Sequence, residues 1–358
     1  MRIGIDAHML GDHSGGNETF YTGILDNLET NDGNEYFLFL NKGSEKKEYR
    51  ERFNVIFLKS KNAFFRTYLE LPKLCYQLKL DVLHTQYYLP FLVPCKKVVT
   101  IHDISFEHYK SFFNKTEYIK NKILVSYSAK KADQIVTVSK FSKKDIMQKY
   151  NVSSKKISVV HNAVDSVFRK MTLTEIQQSG IIEKYNLSNV VYIACISNLQ
   201  PRKNIEGLIK AFYFFKRNNN SPLKLIIIGK KAWKFKKIFK LTEKSDISKD
   251  IIFTGYVSKL ELVALLNKAK GFVYPSFFEG FGIPPLEAQK CGLNVAVSDI
   301  PVMHEVLEES AIYFNPKSYK SISEGIAKLL DEKIKKINTK SFSWKESCKE
   351  LKKVYKRI

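Results

Sequence analysis

Short apolar runs alternate with longer amphipathic stretches along most of the chain. One series of runs, rich in Ile, Val and Phe, covers residues 3–5, 36–40, 55–58, 82–84, 98–101 and 135–138. A second series covers residues 190–196, 223–228, 251–253, 271–274 and 293–297. Such runs are typical of buried parallel strands connected by crossover helices. The pattern therefore predicts two series of strands, with helices between them such as residues 205–215 and 259–268.

The two series are separated near residues 168–178. A chain of 358 residues also exceeds the roughly 250 to 300 residues at which a single core stops growing. We therefore predict an α/β protein with two Rossmann-like, doubly wound parallel-sheet domains, residues 1–167 and 168–343, that face a cleft. Ligands of such sheets bind beyond the carboxyl ends of the strands, so motifs that directly follow a strand are functional candidates.

Composition excludes several classes of protein. With 44% hydrophobic and 27% charged residues the chain has an ordinary globular composition, and no stretch approaches the roughly 20 apolar residues of a membrane-spanning helix. Asp6 interrupts the apolar run that an export signal would need, which predicts a cytoplasmic protein. Five scattered cysteines without a C-x-x-C pair argue against a disulfide framework or a zinc site.

The chain is strongly basic, with 59 Lys and Arg against 36 Asp and Glu and a formal net charge of +23. This excess predicts attraction to a phosphate-rich partner: nucleic acid, an anionic lipid surface or a phosphorylated ligand. A genome rich in A and T, which favours Lys, Asn and Ile, would produce a similar excess without any such role. The charge alone does not choose among these interpretations.

A glycine pair, Gly15 and Gly16, follows the first predicted strand and precedes a helix. Paired glycines let the backbone approach a phosphate closely, and the helix N-terminus offers free N–H groups. The G-x-G-x-x-G pattern of dinucleotide-binding dehydrogenases is absent. An ordinary strand-to-helix turn explains the pair equally well.

Two adjacent cations, Arg202 and Lys203, lie between the first strand of the second series and a helix. Cations are unfavourable at a helix N-terminus because the macrodipole is positive there. An anion is therefore expected to compensate them, and a diphosphate would do so, with Arg as a planar fork and Lys as a mobile charge. The alternative is a solvated pair of charges.

Residues 278–288 follow another predicted strand and contain two carboxylates. Glu279 lies in a loop with Gly280 and Gly282, and Glu287 lies about one turn inside a helix that two prolines open. Both carboxylates would then face one pocket at different depths and accept hydrogen bonds from sugar or ribose hydroxyls, while the glycines leave backbone N–H groups accessible. Glu287 as a mere partner of the helix dipole is the alternative.

In this order the motifs resemble the retaining glycosyltransferases of the GT-B fold, and among them family 4. The resemblance covers nearly the whole chain. Its further segments are residues 101–103 (IHD), 136–142 (VTVSKFS), 161–165 (HNAVD), 201–204 (PRKN) and 254–257 (TGYV).

The resemblance implies a role for each motif. Arg202 and Lys203 would bind the donor diphosphate and stabilise its charge as the glycosidic bond breaks, in place of a metal ion. Glu287 would hold the ribose hydroxyls and Glu279 the transferred hexose. His102 would point at that sugar from the first domain, although a buried structural histidine is the alternative. The remaining implied donor-binding residues are Gly15 and Gly16 in the first domain, Tyr256 and Val257 beside the base, and Gly280, Phe281 and Gly282 beside the sugar.

The implied reaction moves a hexose, by our prediction mannose-type, from a GDP-, UDP- or dTDP-linked sugar to a saccharide or lipid-linked acceptor in O-antigen, capsule or glycolipid assembly. The anomeric configuration would be retained, and no cofactor, metal ion or nucleic acid is expected. Two positions depart from the family: Ser197 replaces the glycine that usually precedes the basic loop, and residues 17–19 (NET) differ from its Gly-x-Arg-Tyr form.

Two segments, residues 118–131 and 230–240, interleave cations with apolar side chains. Each fits peripheral contact with the anionic inner face of the cell membrane, and equally a solvated helix face that covers core. Residues 344–358 are predicted to form a helix that packs back on the first domain. The rival functions are a nucleotide-sugar epimerase of the same fold, a basic nucleic-acid-binding protein and a catalytically silent homologue.

Overall fold

The computed structural model describes residues 1–12, 15–44, 46–233, 235–243, 246–331 and 341–358. The chain divides into two compact units, one formed by Met1–Ala163 with Phe342–Ile358 and the other by Val164–Ser341. The division thus falls a few residues before the predicted boundary at residues 167 and 168. Asp165 belongs with the second unit, where its carboxylate pairs with Lys259 Nζ at 2.6 Å.

In the described part of the first unit, seven parallel strands form one sheet in the order β3-β2-β1-β4-β5-β6-β7. The strand order reverses between β1 and β4, which pair directly, so this pair is the switch point of the sheet. The strands are β1 Arg2–Asp6, β2 Glu35–Leu40, β3 Asn54–Phe57, β4 Val82–Gln86, β5 Lys96–Thr100, β6 Gln134–Thr137 and β7 Ile157–Val159.

The helices of the first unit connect these strands, and a last one comes from the end of the chain. One π-helix, Arg66–Glu70, continues directly from α3 into α4. The helices are α1 Gly16–Asn27, α2 Lys47–Arg52, α3 Ala63–Phe65, α4 Leu71–Gln77, α5 Ser105–His108, α6 Lys115–Lys131, α7 Lys140–Tyr150 and α16 Trp344–Lys356.

The second unit repeats this arrangement. Its described residues form a parallel sheet of six strands in the order β10-β9-β8-β11-β12-β13, with β8 and β11 at the switch point. The strands are β8 Tyr192–Ile196, β9 Lys224–Ile228, β10 Ile251–Gly255, β11 Gly271–Tyr274, β12 Val295–Ser298 and β13 Ile312–Phe314. The helices are α8 Leu173–Gln178, α9 Ile181–Lys184, α10 Ile205–Asn219, α11 Lys236–Glu243, α12 Lys259–Lys268, α13 Ile283–Lys290, α14 Pro301–Leu307 and α15 Tyr319–Leu330.

The two doubly wound parallel sheets predicted from the apolar runs are confirmed. Central strands are apolar on both faces, as in β9, where every residue from Leu225 to Ile228 is buried, because helices cover both faces of a parallel sheet. The strands β7 and β13 were not predicted, since each has three residues and lies at a sheet edge. In the part of the chain that the structure describes, no helix has the length and hydropathy needed to cross a bilayer.

The helix α16 completes the core of the first unit. The Trp344 ring lies edge-on to the Phe20 ring, with centroids 6.3 Å apart, and the Cys348 thiol donates to the carbonyl of Ile24 on α1. Tyr355 Oη and His84 Nδ1 form a buried hydrogen bond of 2.7 Å. Burial lowers the pKa of His84 to about 3, so this imidazole stays neutral in the core.

Close packing between α1 and α16 predicts that Gly23→Ala destabilises the protein. A Cβ atom built on Gly23 would lie 2.2 Å from Trp344 Cε2. Overpacking costs roughly 1–3 kcal/mol, and the better helix propensity of Ala offsets at most about 1 kcal/mol. We expect a net loss of about 1 kcal/mol in the free energy of unfolding, measured by urea titration.

The matched control is Gly16→Ala in the same helix, where an added Cβ atom meets no described atom within 4 Å. Equal stability of the two variants would contradict the described packing of α16 on α1.

Candidate active site

Two loops of the second unit meet at the switch point of its sheet. One follows β8 and contains the 3-10 turn Pro201–Lys203, and the other, residues 275–282, follows β11. The Phe277 N–H donates to the carbonyl of Arg202 at 2.9 Å, and Asn204 Nδ2 donates to the carbonyl of Pro275 at 3.1 Å. Asn204 holds a left-handed conformation, with φ of 55°. Because β8 and β11 are parallel neighbours, their carboxyl ends bring both loops to one edge.

Arg202 and Lys203 share one carboxylate, that of Glu279. Arg202 Nη1 lies 3.3 Å from Oε2, and Lys203 Nζ lies 2.6 Å from Oε1. Lys203 Nζ also donates to Tyr274 Oη at 2.8 Å, and this hydroxyl donates to Glu279 Oε1 at 3.0 Å. Arg202 Nη1 is further fixed by the carbonyl of Phe278 at 2.9 Å. We call Arg202, Lys203, Tyr274 and Glu279 the Glu279 cluster.

The Glu279 cluster is largely buried, with 15%, 13% and 8% of the side chains of Arg202, Lys203 and Glu279 exposed. Burial by itself disfavours the carboxylate, but the charges of Lys203 and Arg202 outweigh it and lower the pKa of Glu279 to about 2. Burial and the Glu279 charge raise the pKa of Tyr274, so its hydroxyl stays protonated. Two cations and one anion then leave an excess of positive charge at neutral pH.

A carboxylate of the protein itself supplies the anion that is expected beside Arg202 and Lys203. Glu279 supplies the compensating carboxylate from 76 residues away along the chain, a distance over which the sequence gives no signal of contact. The diphosphate predicted beside these cations is therefore not the first anion to compensate them, and its binding stays a prediction. One carboxylate still serves two cations, so an added anion remains electrostatically favourable.

The second loop passes closely packed neighbours at Gly282. Gly282 has a φ of +92°, and a Cβ atom built on it would lie 2.3 Å from Met303 Cε. Gly280 and Phe281 precede it in the same buried stretch. Gly282 is followed directly by α13, so the loop leads straight into a helix N-terminus, as the sequence predicts.

Glu287 lies on α13 and has different neighbours from Glu279. Its side chain is half-buried, and burial raises its pKa to about 8. The positive charge of Lys259 lowers this pKa, and the negative charge of Asp165 raises it further. Among the described residues, hydrogen bonds join Glu279 to the cations of its cluster, whereas the charges that act on Glu287 are those of the Lys259–Asp165 pair. The two carboxylates therefore have different immediate neighbours, and the prediction that they face one pocket at different depths stays a prediction.

The carboxyl edge of the second sheet also carries the residues predicted beside the base. Tyr256 and Val257 directly follow β10; Tyr256 is 60% exposed and Val257 is buried. Ser197, which follows β8, is buried and its hydroxyl donates to the carbonyl of Asn198 at 2.9 Å. The backbone of Gly229 approaches this segment so closely that an added Cβ atom would lie 2.2 Å from the Ser197 carbonyl oxygen.

The first unit carries the predicted glycine pair at the start of α1. Gly15 has a φ of +81° and directly precedes the helix, whose first residue is Gly16. A side chain at Gly15 would be strained in this conformation, whereas the space beside Gly16 holds no described atom within 4 Å of an added Cβ. The backbone conformation therefore explains why position 15 is a glycine, but it does not explain the glycine at position 16.

His102 lies just beyond β5 and is 6% exposed. Its ring packs edge-on against Phe20, with centroids 5.2 Å apart, and beside Tyr87 at 5.8 Å. Burial lowers the pKa of His102 to about 4, so the imidazole is neutral at physiological pH. Its buried Nε2 atom has no hydrogen-bond partner among the described residues. A histidine with only a structural role normally has both ring nitrogens satisfied.

Three buried polar residues of the first unit were missed by the sequence analysis. Asp6 ends β1 and Gln86 ends β4, at the switch point, and Arg66 lies in the π-helix. Burial by itself would raise the pKa of Asp6. His8, whose Nδ1 lies 2.8 Å from Asp6 Oδ1, and the charge of Arg66 lower this pKa below its ordinary value. Arg66 Nε and Gln86 Oε1 are buried without a hydrogen-bond partner in the described part of the chain. Their positions at the carboxyl ends of strands were the available signal for Asp6 and Gln86.

Two family models together match most of the chain. The model described as "Glycosyltransferase Family 4" matches residues 14–168, and "Glycosyl transferases group 1" matches residues 177–345. O-antigen chain mannosyltransferase B of Escherichia coli is 31% identical over 270 residues, which cover 73% of this chain and 70% of that protein. The chain belongs to glycosyltransferase family 4. O-antigen chain mannosyltransferase RfbU of Salmonella typhimurium is 34% identical over 238 residues, which cover 66% of this chain and 62% of that protein.

Solved structures show the same fold. HepE of Anabaena, in complex with UDP-glucose, has a TM-score of 0.77 at 15% identity and is matched over 100% of both chains. WaaG, a glycosyltransferase involved in lipopolysaccharide biosynthesis, has a TM-score of 0.71 at 13% identity, covering 98% of this chain and 95% of that one. This family 4 glycosyltransferase therefore has the GT-B fold.

The raised pKa of Glu287 predicts a pH-dependent loss of stability. Its ordinary pKa is 4.5 and its pKa in the folded protein is about 8, so between these values the folded state keeps a proton that the unfolded state releases. The contribution of Glu287 to the free energy of unfolding should therefore decrease as pH rises from about 4.5 to about 8, whereas the lowered pKa values of His84 and His102 act in the opposite direction below about 6.5. In urea titrations across this range, the free energy of unfolding of Glu287→Gln should therefore rise relative to that of the wild type.

Glu324→Gln on α15 provides the control, since this glutamate is exposed. It should reproduce the wild-type dependence, and a Glu287→Gln variant that also reproduced it would disprove the raised pKa.

Proposed function

We propose that this protein is a retaining, metal-independent hexosyltransferase that transfers a mannose-type hexose from a nucleoside-diphosphate sugar to a saccharide or lipid-linked acceptor in surface polysaccharide or glycolipid assembly. The Glu279 cluster carries the proposal. It holds two cations in fixed positions at the carboxyl edge of the second sheet, where ligands of doubly wound sheets bind. Family membership makes a nucleotide sugar the anionic ligand that fits this position.

Arg202 and Lys203 would bind the diphosphate of the donor. A guanidinium can contact two phosphate oxygens through its planar fork, and an ammonium acts as a point charge. Their hydrogen bonds to Glu279 and Tyr274 would hold them in place before the donor arrives, so little side-chain entropy would be lost on binding. Glu279 would thus position both cations in addition to any contact with the hexose.

In the proposed reaction the bond between the anomeric carbon and the β-phosphate oxygen breaks, and the acceptor oxygen forms a bond to the same carbon from the same face. The proton of the acceptor hydroxyl goes to the departing phosphate oxygen. Negative charge that develops on the diphosphate is stabilised by Arg202 and Lys203, which need no reorganisation at that moment. Because these cations supply the electrostatic stabilisation, we propose that no metal ion is required.

We propose the remaining donor contacts as the family resemblance implies them. Glu287, with its raised pKa, would be largely protonated at neutral pH and could both donate to and accept from ribose hydroxyls. Tyr256 would stack on the base beside Val257. The loop glycines Gly280 and Gly282, with Phe281, would offer backbone N–H groups to the sugar, and Gly15 and Gly16 would contribute N–H groups from the first unit.

The first unit would bind the acceptor and contact the transferred sugar through His102. Buried polar atoms without partners, such as Arg66 Nε, Gln86 Oε1 and His102 Nε2, each cost about 1–3 kcal/mol. The hydroxyls of a saccharide would satisfy them. We propose this carboxyl edge of the first sheet, with Asp6, as the acceptor side.

The mannose-type donor and the polysaccharide role are proposed from the relatives of Escherichia coli and Salmonella typhimurium that are named O-antigen chain mannosyltransferases. HepE binds UDP-glucose, but its likeness to this chain concerns the fold. We further propose a cytoplasmic location at the inner face of the cell membrane, where a lipid-linked acceptor would be presented.

Donor binding can be tested first, by thermal unfolding with GDP, UDP and dTDP in turn, with and without magnesium. A ligand at 100 times its dissociation constant stabilises the folded state by about 2.7 kcal/mol. We expect one nucleotide to raise the melting temperature equally in both conditions. No shift with any nucleotide would contradict the donor site, and a shift that requires magnesium would contradict metal independence.

The role of the cations predicts that Lys203→Ala lowers nucleotide affinity and turnover together. Loss of one electrostatic donor typically lowers kcat by about 10²- to 10³-fold. Hexose transfer to a saccharide acceptor, from a sugar donor that carries the stabilising nucleotide, should therefore fall by this order, and nucleotide titration should show a higher Kd.

Lys210→Ala, at an exposed position on α10, provides a matched control with the same change of charge. Equal transfer rates for the wild type and Lys203→Ala would exclude the proposed role of Lys203. If the protein instead releases an epimerised nucleotide sugar in the absence of an acceptor, its activity is that of an epimerase and not of a transferase.

A further inference from the structure

The first unit exposes a group of large apolar side chains that core packing does not explain. Among the described residues, fourteen large hydrophobic side chains are exposed, and eight of them lie in only three segments, residues 61–79, 87–97 and 115–131. Single exposed hydrophobic residues are normal, whereas a contiguous group marks an interaction surface. The eight are Phe64, Phe65, Leu69, Tyr76, Phe91, Leu92, Ile119 and Ile123.

Aromatic contacts join the three segments into one surface. Ring centroids of Phe64 and Tyr68 lie 5.0 Å apart, those of Tyr68 and Phe91 are stacked at 4.5 Å, and those of Phe91 and Tyr127 meet edge-on at 5.1 Å. Tyr127 Oη also donates to the carbonyl of Phe91 at 3.2 Å. The chain of rings therefore runs from α3 and the π-helix, over the loop before β5, to α6. We call Phe64, Tyr68, Phe91, Leu92, Ile123 and Tyr127 the aromatic surface.

The segments that carry the aromatic surface are also unusually basic. They contain eleven Lys or Arg and two acidic residues; of the cations, Arg66 is buried and Lys96 pairs with Asp133. One of the acids, Glu70, accepts hydrogen bonds from the N–H groups of Lys59 and Ser60 at 2.7 and 3.0 Å. Exposed lysines in these segments include Lys61, Lys73, Lys120 and Lys122.

The other basic and aromatic segment, residues 230–240, has a different role in the second unit. Phe235 and Phe239 pack against the core of that unit, and the Phe239 ring lies 4.7 Å from Phe253. Lys231 Nζ lies over both rings, at 5.6 and 5.0 Å. Lys234 lies outside the described residues. Phe235 and Phe239 therefore cover core, and among the described residues of the two predicted segments the exposed large hydrophobic side chains are those of residues 118–131.

We propose that the aromatic surface binds an anionic lipid bilayer, with Phe64, Phe91 and Leu92 entering the headgroup region and exposed lysines of the same segments contacting lipid phosphates. Exposed aromatic and aliphatic side chains combined with cations are the two components of interfacial membrane binding. Nucleic acid would use the lysines but would leave Leu92 and Ile123 in water. An acidic bilayer uses both components.

This proposal rests on the proposed function in one respect, because it places the acceptor side of a glycosyltransferase where lipid-linked acceptors are anchored. The binding itself involves neither donor nor acceptor. Vesicle binding can therefore fail while nucleotide binding succeeds, and the reverse.

The test is sedimentation of the full chain with vesicles of phosphatidylcholine, with and without phosphatidylglycerol. The variant Phe64→Ser/Leu92→Ser removes two apolar side chains that are 59% and 84% exposed, so the fold should be retained. The matched control is Leu173→Ser/Leu260→Ser in the second unit, whose side chains are 75% and 55% exposed. Urea titration checks that both variants keep wild-type stability.

We expect the wild type and the control to bind phosphatidylglycerol vesicles alike and the Phe64→Ser/Leu92→Ser variant to bind at least ~10-fold more weakly. Lys120→Gln/Lys122→Gln should weaken binding by about fivefold for each lysine, and added salt should weaken it further. Nucleotide-induced thermal shifts should be unchanged in all of these variants.

Three outcomes would overturn the proposal. The first is that the wild type does not bind the vesicles. The second is that the Phe64→Ser/Leu92→Ser variant binds as well as the control, which would mean adsorption by charge alone. The third is that the wild type binds no vesicles but forms a dimer that this variant abolishes, which would make the surface a contact between copies of the chain.

Discussion

The Glu279 cluster of this glycosyltransferase depends on one buried carboxylate. Glu279 receives hydrogen bonds from Arg202, Lys203 and Tyr274, and so connects the loop after β8 to the strand β11 and the loop that follows it. Removing one partner of a buried ion pair typically costs about 3–5 kcal/mol, because the remaining charge is left without compensation. None of the three charged residues can therefore change alone without displacing the other two, and the backbone bonds from Phe277 and Asn204 add to this mutual dependence.

The two units differ in how the charged groups at the carboxyl edge of the sheet are paired. In the second unit Arg202 and Lys203 share the carboxylate of Glu279. In the first unit Arg66, Gln86 and His102 each keep a buried polar atom without a described partner, as Gln200 and Ser276 do beside the Glu279 cluster. Under the proposed function the paired cations would bind the diphosphate, and sugar hydroxyls would complete the remaining hydrogen bonds and so contribute to specificity.

The sequence predicts the architecture well where the local signal is strong. Long apolar runs such as that of β9 mark buried strands, and α12 has the predicted bounds because Ser258 and Glu261 form a capping box at its start. The edge strands β7 and β13 were missed because three residues do not form a recognisable run. For the site, Arg202, Lys203 and Glu279 were found as separate motifs, but their contact was not, since no local rule connects residues 76 positions apart. Tyr274 was taken for a core strand residue, and Arg66 lies in a π-helix, which has no sequence pattern of its own.

The position of α16 in the chain has a consequence for biosynthesis. Residues 164–341 form the second unit as one continuous stretch, whereas the first unit needs both the first 163 residues and the last 17. During translation the second unit can therefore complete its core while the first still lacks Trp344 and Tyr355. Until these two residues are synthesised, the surfaces around His84 and Gly23 that they cover stay exposed on the nascent chain. The unit that is synthesised first is therefore the unit that finishes folding last.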